Sequence, residues 1–429
     1  MQRIYDDLGL SIEPGCGPNT TADLVRFALA GTDERVSIVN SLRYQPDGIL
    51  TCATTLGIKP SGKPDFTVIT LPQPGAAAAV MSQNRCPSYA VLRNRECMAD
   101  GTLQAIAVGS GNANVFTPNG MRDLLRIAEL LEAEFGIAAE HILISQTGAI
   151  GTPLPLPLFE SGIPHLANKL QTQHLDAASE AILTTDRGPK VASVAIGDLV
   201  LTGIAKGAGM VEPHMATMLV YFFTNAQAGA GFLQDALERA VDMSFNRLSI
   251  DAATSTSDTV ALVSTGTQAL SSIQQEHFRQ ALVAMSVKLT RELASQGEGV
   301  NKTLEVTVDS DVSRTYSQRI AKQIINSPLV KTAAHGAIPG WGRMVAAIGQ
   351  PQSGHVDPML APDQVEIALQ SHTVYQRGQA ITPDFQALTL ALRRDKVIDI
   401  HVTLGAGGYL GHAWGCDLSA DYVQFNASA

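Results

Sequence analysis

Apolar positions along this chain recur with two periods, one helical and one strand-like, and their mixture predicts an α/β protein. The helical period is clearest after Thr117-Pro118, which read as a cap followed by a first-turn proline. Leu124, Leu125, Ala128, Leu131 and Phe135 then repeat on one face, and Gly136 supplies the stop. The same period predicts helices from Leu233 to Ser244 and from Phe278 to Leu293, and a short one from Ala22 to Ala30 before the polar stretch Gly31 to Arg35. His141 to Gln146 reads as an apolar strand that ends in a turn at Thr147-Gly148. Val191 to Ile196 and Leu199 to Ile204 read as two strands joined by the tight-turn pair Gly197-Asp198. Met215 to Phe223 is almost unbroken in its apolar character, as a strand buried on both faces would be. Lys302 to Val308 alternates, with Leu304, Val306 and Val308 on one face, and Tyr422 to Phe425 is expected to be a last short strand. Residues 1–45 set no strong pattern and stand as an extension without an assigned role.

The totals narrow the class. A chain of 429 residues is long enough for one large core or two. The formal charge of −10, with no stretch that concentrates Lys and Arg, leaves no electrostatic footprint for nucleic acid. The five cysteines are scattered without a Cys-x-x-Cys pair, which argues against a disulfide framework and against a thiolate zinc site. An acidic pair follows Tyr5 where a secretory signal would need an apolar core, and no apolar run reaches the ~20 residues that span a bilayer. The expectation is therefore a cytoplasmic protein with no membrane partner.

Generic motifs add little. The glycines from Gly405 to Gly411 lack the spacing of a dinucleotide fingerprint and read as a hairpin or turn. Gly109 to Asn114 lacks the Gly-Lys-Ser/Thr ending of a phosphate loop and reads as a turn before the helix at 118. No serine sits in a Gly-x-Ser-x-Gly elbow. The ten histidines form no i,i+4 pair, so no metal is expected.

The informative stretch is Lys206 to Leu219, KGAGMVEPHMATML. A glycine-rich lead-in reaches Pro213, and the small Ala216 then precedes Thr217 at the mouth of an apolar strand. A threonine hydroxyl so placed can attack the preceding carbonyl and leave itself as a new N-terminus. The freed α-amine, with a reference pKa of ~7.7–8.0, can then act as base toward its own hydroxyl. A Met-Ala-Thr-Met segment taken alone is far more often plain core.

Around that stretch an ordered set of segments resembles the ornithine acetyltransferase (glutamate N-acetyltransferase) family, over roughly residues 46 to 426. The matching segments are Gln83-Asn84-Arg85, Ser110 to Asn114, Thr147 to Gly151, Thr184-Thr185-Asp186 and Lys206 to Leu219. They continue with Asp251 and Thr254 to Asp258, Gly297-Glu298-Gly299, Asn326 to Thr332, Trp341 to Arg343, Cys416 to Leu418 and Tyr422-Val423. The resemblance implies that family's threonine-nucleophile α/β fold of two intertwined self-cleaved halves, related to the DmpA type. Residues 46–216 would form an α half that ends at the cleavage site, and residues 217–429 a β half that opens with the nucleophile. It also implies roles. Cleavage falls between Ala216 and Thr217, Thr217 takes the acyl group, and Thr147 and Gly148 stabilise the oxyanion. Thr184, Lys206, Glu298 and Asn426 join Thr217 in binding the amino-acid substrate. The implied reaction moves an acetyl group from an N-acetylornithine-like donor to a glutamate-like acceptor, without a cofactor, in an α2β2 particle. An acyl-threonine resolved by water would instead make an amidase or aminopeptidase.

Three departures bear on substrate choice. The family usually carries Ala-Pro-Asn before Met-Ala-Thr, and this chain has Glu212-Pro213-His214. It commonly has Asp-Pro-Asn ahead of the tryptophan, and this chain has Ile338-Pro339-Gly340. The family also continues past the asparagine through a tyrosine to a final Ser or Thr, whereas this sequence reads Asn426-Ala427-Ser428-Ala429. A paralogue with an altered donor or acceptor is therefore expected.

Overall fold

The apolar runs of the sequence become the inner strands of two separate sheets. The structure is a computed structural model that describes residues 2–13, 24–212, 218–351, 354–355, 357–381 and 385–427. Two compact units are formed, one from Ile12–Asn246 with Ala253–Leu293, the other from Met1–Ser11, Arg247–Ala252 and Ala294–Ala429. Both combine sheet and helix, so the α/β class expected from the two periodicities is the one found.

The larger unit is built on a nine-stranded sheet. Its path runs Ile142–Ala149, Thr102–Asn112, Phe66–Met81, Thr259–Ala269, Leu219–Gln227, Leu199–Lys206, Lys190–Ile196, with Leu50–Thr54 and Gln171–Thr172 paired off it. The apolar run at 218–223 is buried throughout, because Leu219–Gln227 lies between a parallel and an antiparallel neighbour. The helix Gly120–Phe135 turns Leu124, Ile127, Ala128 and Leu131 onto Val68, Ala107 and Ile144 of the sheet. Truncating one such leucine to alanine costs about 2–5 kcal/mol.

In the smaller unit Thr303–Ser310 is an inner strand of a seven-stranded sheet, parallel to Val397–Leu404 on one side and antiparallel to Tyr409–Cys416 on the other. Leu304, Val306 and Val308 pack with Tyr316, Ile320 and Ile324 of the helix Arg314–Asn326. The opposite face is buried too. Tyr5, in the helix Gln2–Asp7, donates its hydroxyl to the carboxylate of Glu305 at 3.0 Å, and Asp7 meets His412 Nε2 at 2.9 Å.

Several local expectations are corrected. Residues 24–28 form a strand rather than a helix: Val25 and Phe27 are buried on one face, and pairing with Arg35–Ser37 overrides the Ala- and Leu-rich composition. Thr117 does not cap the long helix. Its hydroxyl donates to Asn114 Oδ1, a turn from Thr117 to Gly120 follows, and the helix begins after Asn119. Gly109 to Asn112 belong to a strand, not to a turn. Of the two readings at Gly405, the turn holds at residues 405–406, but no hairpin joins the flanking strands, since each pairs with Thr303–Ser310 between them. Residues 422–425 lie in the helix Ala420–Ala427, where the Ser419 hydroxyl accepts the Tyr422 amide. That capping signal, Ser419 before Ala-Asp-Tyr, was present in the sequence.

Candidate active site

The sequence-derived residues fall into two groups, one in each unit, while Ala216 and Thr217 lie outside the described residues. Thr147 and Gly148 sit near the end of the strand Ile142–Ala149, which runs on through the turn expected there. Gly148 has φ +132°, a conformation that side chains other than hydrogen rarely adopt. A Cβ at Gly148 would also lie 2.3 Å from the carbonyl carbon of Gly111 on the parallel neighbour. Two glycines facing each other allow the strands to approach where the register shifts.

Thr147 is nearly inaccessible, and its Oγ accepts a hydrogen bond from Lys206 Nζ at 3.3 Å. The same ammonium donates to Thr184 Oγ at 2.9 Å. Three of the expected residues, from positions 147, 184 and 206, therefore meet at one nitrogen. Lys206 ends the strand Leu199–Lys206 and is 1% exposed, so its charge is held away from water.

What permits that burial is a residue not assigned any role from the sequence. The side chain of Asp186 is completely buried and touches both lysines of the cluster: Oδ1 accepts from Lys190 Nζ at 2.6 Å, and Oδ2 lies 4.0 Å from Lys206 Nζ. Oδ1 also accepts from the Gly207 amide at 2.6 Å, and Oδ2 from the Thr184 amide at 3.1 Å. Burial alone would raise the carboxyl's pKa. The charges of Lys206 and Lys190 and the hydrogen bonds outweigh that effect and hold Asp186 well below the usual carboxylate range. The signal was legible: Asp186 lies four residues before a lone lysine that opens an apolar strand.

In the smaller unit, Glu298 Oε2 accepts from Asn426 Nδ2 at 3.0 Å. Glu298 is half-buried and Asn426 exposed. The helix that carries Asn426 is pinned beside Glu298, because the Ser419 hydroxyl donates to the Gly299 carbonyl at 2.6 Å. Gly299 has φ +65°, and a Cβ there would meet the Tyr422 amide at 2.3 Å. The Tyr422 hydroxyl donates to Asp251 Oδ2 at 3.3 Å; burial first, and then the Asp251 charge, raise its pKa. Asp417, in the Cys416–Leu418 segment, accepts the amides of Asn301 and Lys302 at 2.9 Å each. Among the described residues no three His, Cys, Asp or Glu side chains are placed to hold a metal ion. None of the described helices is long and apolar enough to cross a membrane.

A family model described as the ArgJ family matches residues 51–428. The chain belongs to the ArgJ family. The arginine biosynthesis bifunctional protein ArgJ 2 of Clostridium acetobutylicum is 39% identical over 89% of this chain and 97% of its own length. The arginine biosynthesis bifunctional protein ArgJ of Thermus thermophilus is 36% identical over 89% and 98%. A crystal structure of the arginine biosynthesis bifunctional protein ArgJ of Bacillus halodurans is 33% identical and covers 50% of this chain and 100% of that one, at a TM-score of 0.45. This ArgJ-family chain is thus an enzyme, an acyltransferase whose chemistry is acetyl transfer, built on a mixed α/β fold.

Proposed function

We propose that this ArgJ-family enzyme cleaves itself between Ala216 and Thr217 and then carries an acetyl group on Thr217. The donor is an N-acetylated amino acid of the N-acetylornithine class, and the acceptor is an amino acid of the glutamate class, within arginine biosynthesis. In the maturation step Thr217 Oγ adds to the Ala216 carbonyl. The C–N bond breaks, the nitrogen takes the hydroxyl proton, and an ester remains. Water hydrolyses the ester, which leaves a carboxylate on Ala216 and a free amine and hydroxyl on Thr217.

In turnover the Thr217 amine takes the hydroxyl proton as Oγ attacks the N-acetyl carbonyl. The proton then passes to the departing amine. The acceptor's amine attacks the acetyl ester, and its proton returns to Thr217 Oγ as the ester C–O bond breaks.

The observation that carries this reading is the convergence of Lys206 on Thr147 and Thr184. Because Lys206 Nζ donates to the Thr147 oxygen, the Thr147 hydroxyl proton is left to point at an oxyanion. Lys206 Nζ places a buried positive charge beside the Thr147 and Thr184 hydroxyls, which suits an anionic group such as a substrate carboxylate or that oxyanion. Glu298 is suited to a substrate ammonium group, with Asn426 as its hydrogen-bonded neighbour. Thr184 and Gly148 complete the substrate and oxyanion contacts on this reading. We place the enzyme in the cytoplasm as an α2β2 particle of its cleaved halves, with small amino acids as its only partners.

A donor–acceptor panel tests the proposal, with N-acetylornithine, N-acetylglutamate and other N-acetyl amino acids offered against free amino acids and water. Transfer exceeding hydrolysis for an ornithine-like donor and a glutamate-like acceptor supports it. Free acetate as the main product with every acceptor would contradict it and make the enzyme an amidase. The changes at 212–214 and 338–340 predict that the preferred pair differs from N-acetylornithine and glutamate in one member. Those two being the best pair by a wide margin would refute that part.

A further inference from the structure

Two of the matching segments, Gln83-Asn84-Arg85 and Thr254 to Asp258, have no part in the reaction as described so far. In the structure they are bonded to each other. The Ser82 hydroxyl donates to the Ser255 carbonyl at 2.6 Å, Asn84 Nδ2 to the Thr254 carbonyl at 2.7 Å, and the Ser88 amide to the Thr256 carbonyl at 2.8 Å. Within the second segment the Ser257 amide donates to Ser255 Oγ at 3.1 Å. The Ser82 amide also donates to the Asp258 carbonyl at 3.0 Å. A stretch of five small polar residues, Thr254 to Asp258, is thereby fixed at the point where the strand Thr259–Ala269 begins.

What this stretch presents is the carboxyl of Asp258. The residue is fully buried, and Oδ1 accepts the amide of Met218 at 2.8 Å. The Met218 carbonyl in turn accepts the Thr259 amide at 3.2 Å. Both polar groups of Met218 are thus held by consecutive residues, 258 and 259. Met218 is bonded directly to Thr217, so the main chain is clamped one peptide unit beyond the cleavage residue.

We propose that Asp258 is a positioning residue for self-cleavage: its carboxyl, carried on a stretch whose main-chain carbonyls the Ser82–Asn84 segment holds, fixes the Met218 amide and thereby the attack geometry of Thr217. The inference rests on the reading of Thr217 as the self-cleaving nucleophile. What the role needs is an acceptor oxygen at Oδ1, on a carboxyl that burial pushes well above the usual range against the opposing pull of the Met218 amide, Lys206 and Ser255. An asparagine side chain has the same shape and offers a carbonyl acceptor to that amide. The role therefore predicts that asparagine substitutes for it and that an apolar side chain of similar size does not.

The test follows cleavage of freshly synthesised full-length chain by intact mass over time, for wild type, Asp258→Asn, Asp258→Leu, Asn84→Ala and Thr217→Ala, with near-ultraviolet circular dichroism to establish folding. Misplacing a reacting group by about 1 Å costs about 10²-fold in rate. Asp258→Leu should cleave about 10²-fold more slowly than wild type, Asp258→Asn within about tenfold of it, and Asn84→Ala between the two. Should Asp258→Leu fail to fold, the comparison of Asp258→Asn with Asn84→Ala carries the test. Folded Asp258→Leu or Asn84→Ala that cleaves at the wild-type rate would overturn the proposal, as would folded Asp258→Asn that does not cleave. Uncut wild type would instead overturn the reading of Thr217 itself, so the two failures are distinct.

Discussion

The two groups of polar residues are held in opposite ways. Around Lys206 the Thr147 hydroxyl and the Asp186 carboxylate are buried and Thr184 is half-buried, three strand ends converge, and Asp186 accepts from four donors or cations. Around Glu298 the carboxylate is half-buried, its partner Asn426 is exposed, and a short helix provides the scaffold. A buried charged cluster tolerates little change, because each lost partner leaves a desolvated charge behind. An exposed pair can change at small cost. The departures from the family pattern noted at 212–214 and 338–340 leave Thr147, Thr184, Asp186 and Lys206 in place. On the proposed function, the first group serves the chemistry and the second the recognition of substrate.

Substitutions can break that contrast. The largest effect is expected for Asp186→Asn, which leaves two buried lysines without their counter-charge. Removing one partner of such a network costs about 3–5 kcal/mol, to be read from chemical unfolding, and turnover should fall with it. The same carboxyl sets an acid limb. Its folded pKa is depressed, so its contribution is complete above its unfolded value of ~3.9 and fades as pH falls. Between about pH 5 and pH 3 the melting temperature of wild type should fall more steeply than that of Asp186→Asn. Parallel curves would remove Asp186 from the account.

Thr147→Ala comes next. Loss of one oxyanion donor should lower kcat about 10²–10³-fold with KM little changed, in a protein that stays folded. Glu298→Gln should act mainly on KM, by about tenfold for a loss near 1.5 kcal/mol, since it removes a charge-assisted contact to substrate. Smallest of all, Asn426→Ala should shift KM by no more than about fivefold, a loss of at most ~1 kcal/mol. A kcat collapse from Asn426→Ala, or a pure KM effect from Thr147→Ala, would reverse the assignment of the two groups.

Much of the scaffold was legible from periodicity, because the long strands and helices carry their burial pattern in local order. The helix at Gly120–Phe135 and the strands at Lys190–Ile196 and Leu199–Lys206 are examples. The errors lie where a partner distant in sequence decides. Residues 24–28 became a strand only through Arg35–Ser37, and Thr147-Gly148 continued as strand because Gly111 faces it. Of the candidate site, Thr147, Thr184 and Lys206 were named from resemblance, and the structure brings them together. Asp186, Lys190 and Asp258 were missed as participants because their roles depend on burial and on which amides they meet. Neither is visible in a run of letters. Tyr422 to Phe425 had strand-like composition, but the Ser419 cap set the helix first.

The most direct test of the central claim is the intact mass of purified protein after exposure to an N-acetylornithine-class donor without acceptor, beside Thr217→Ala. Two fragments are expected, residues 1–216 and 217–429, with the mass of one acetyl group added to the second only, and a single unmodified chain in the variant. An uncut wild-type chain, or acetyl transfer that persists in uncut Thr217→Ala, would contradict it.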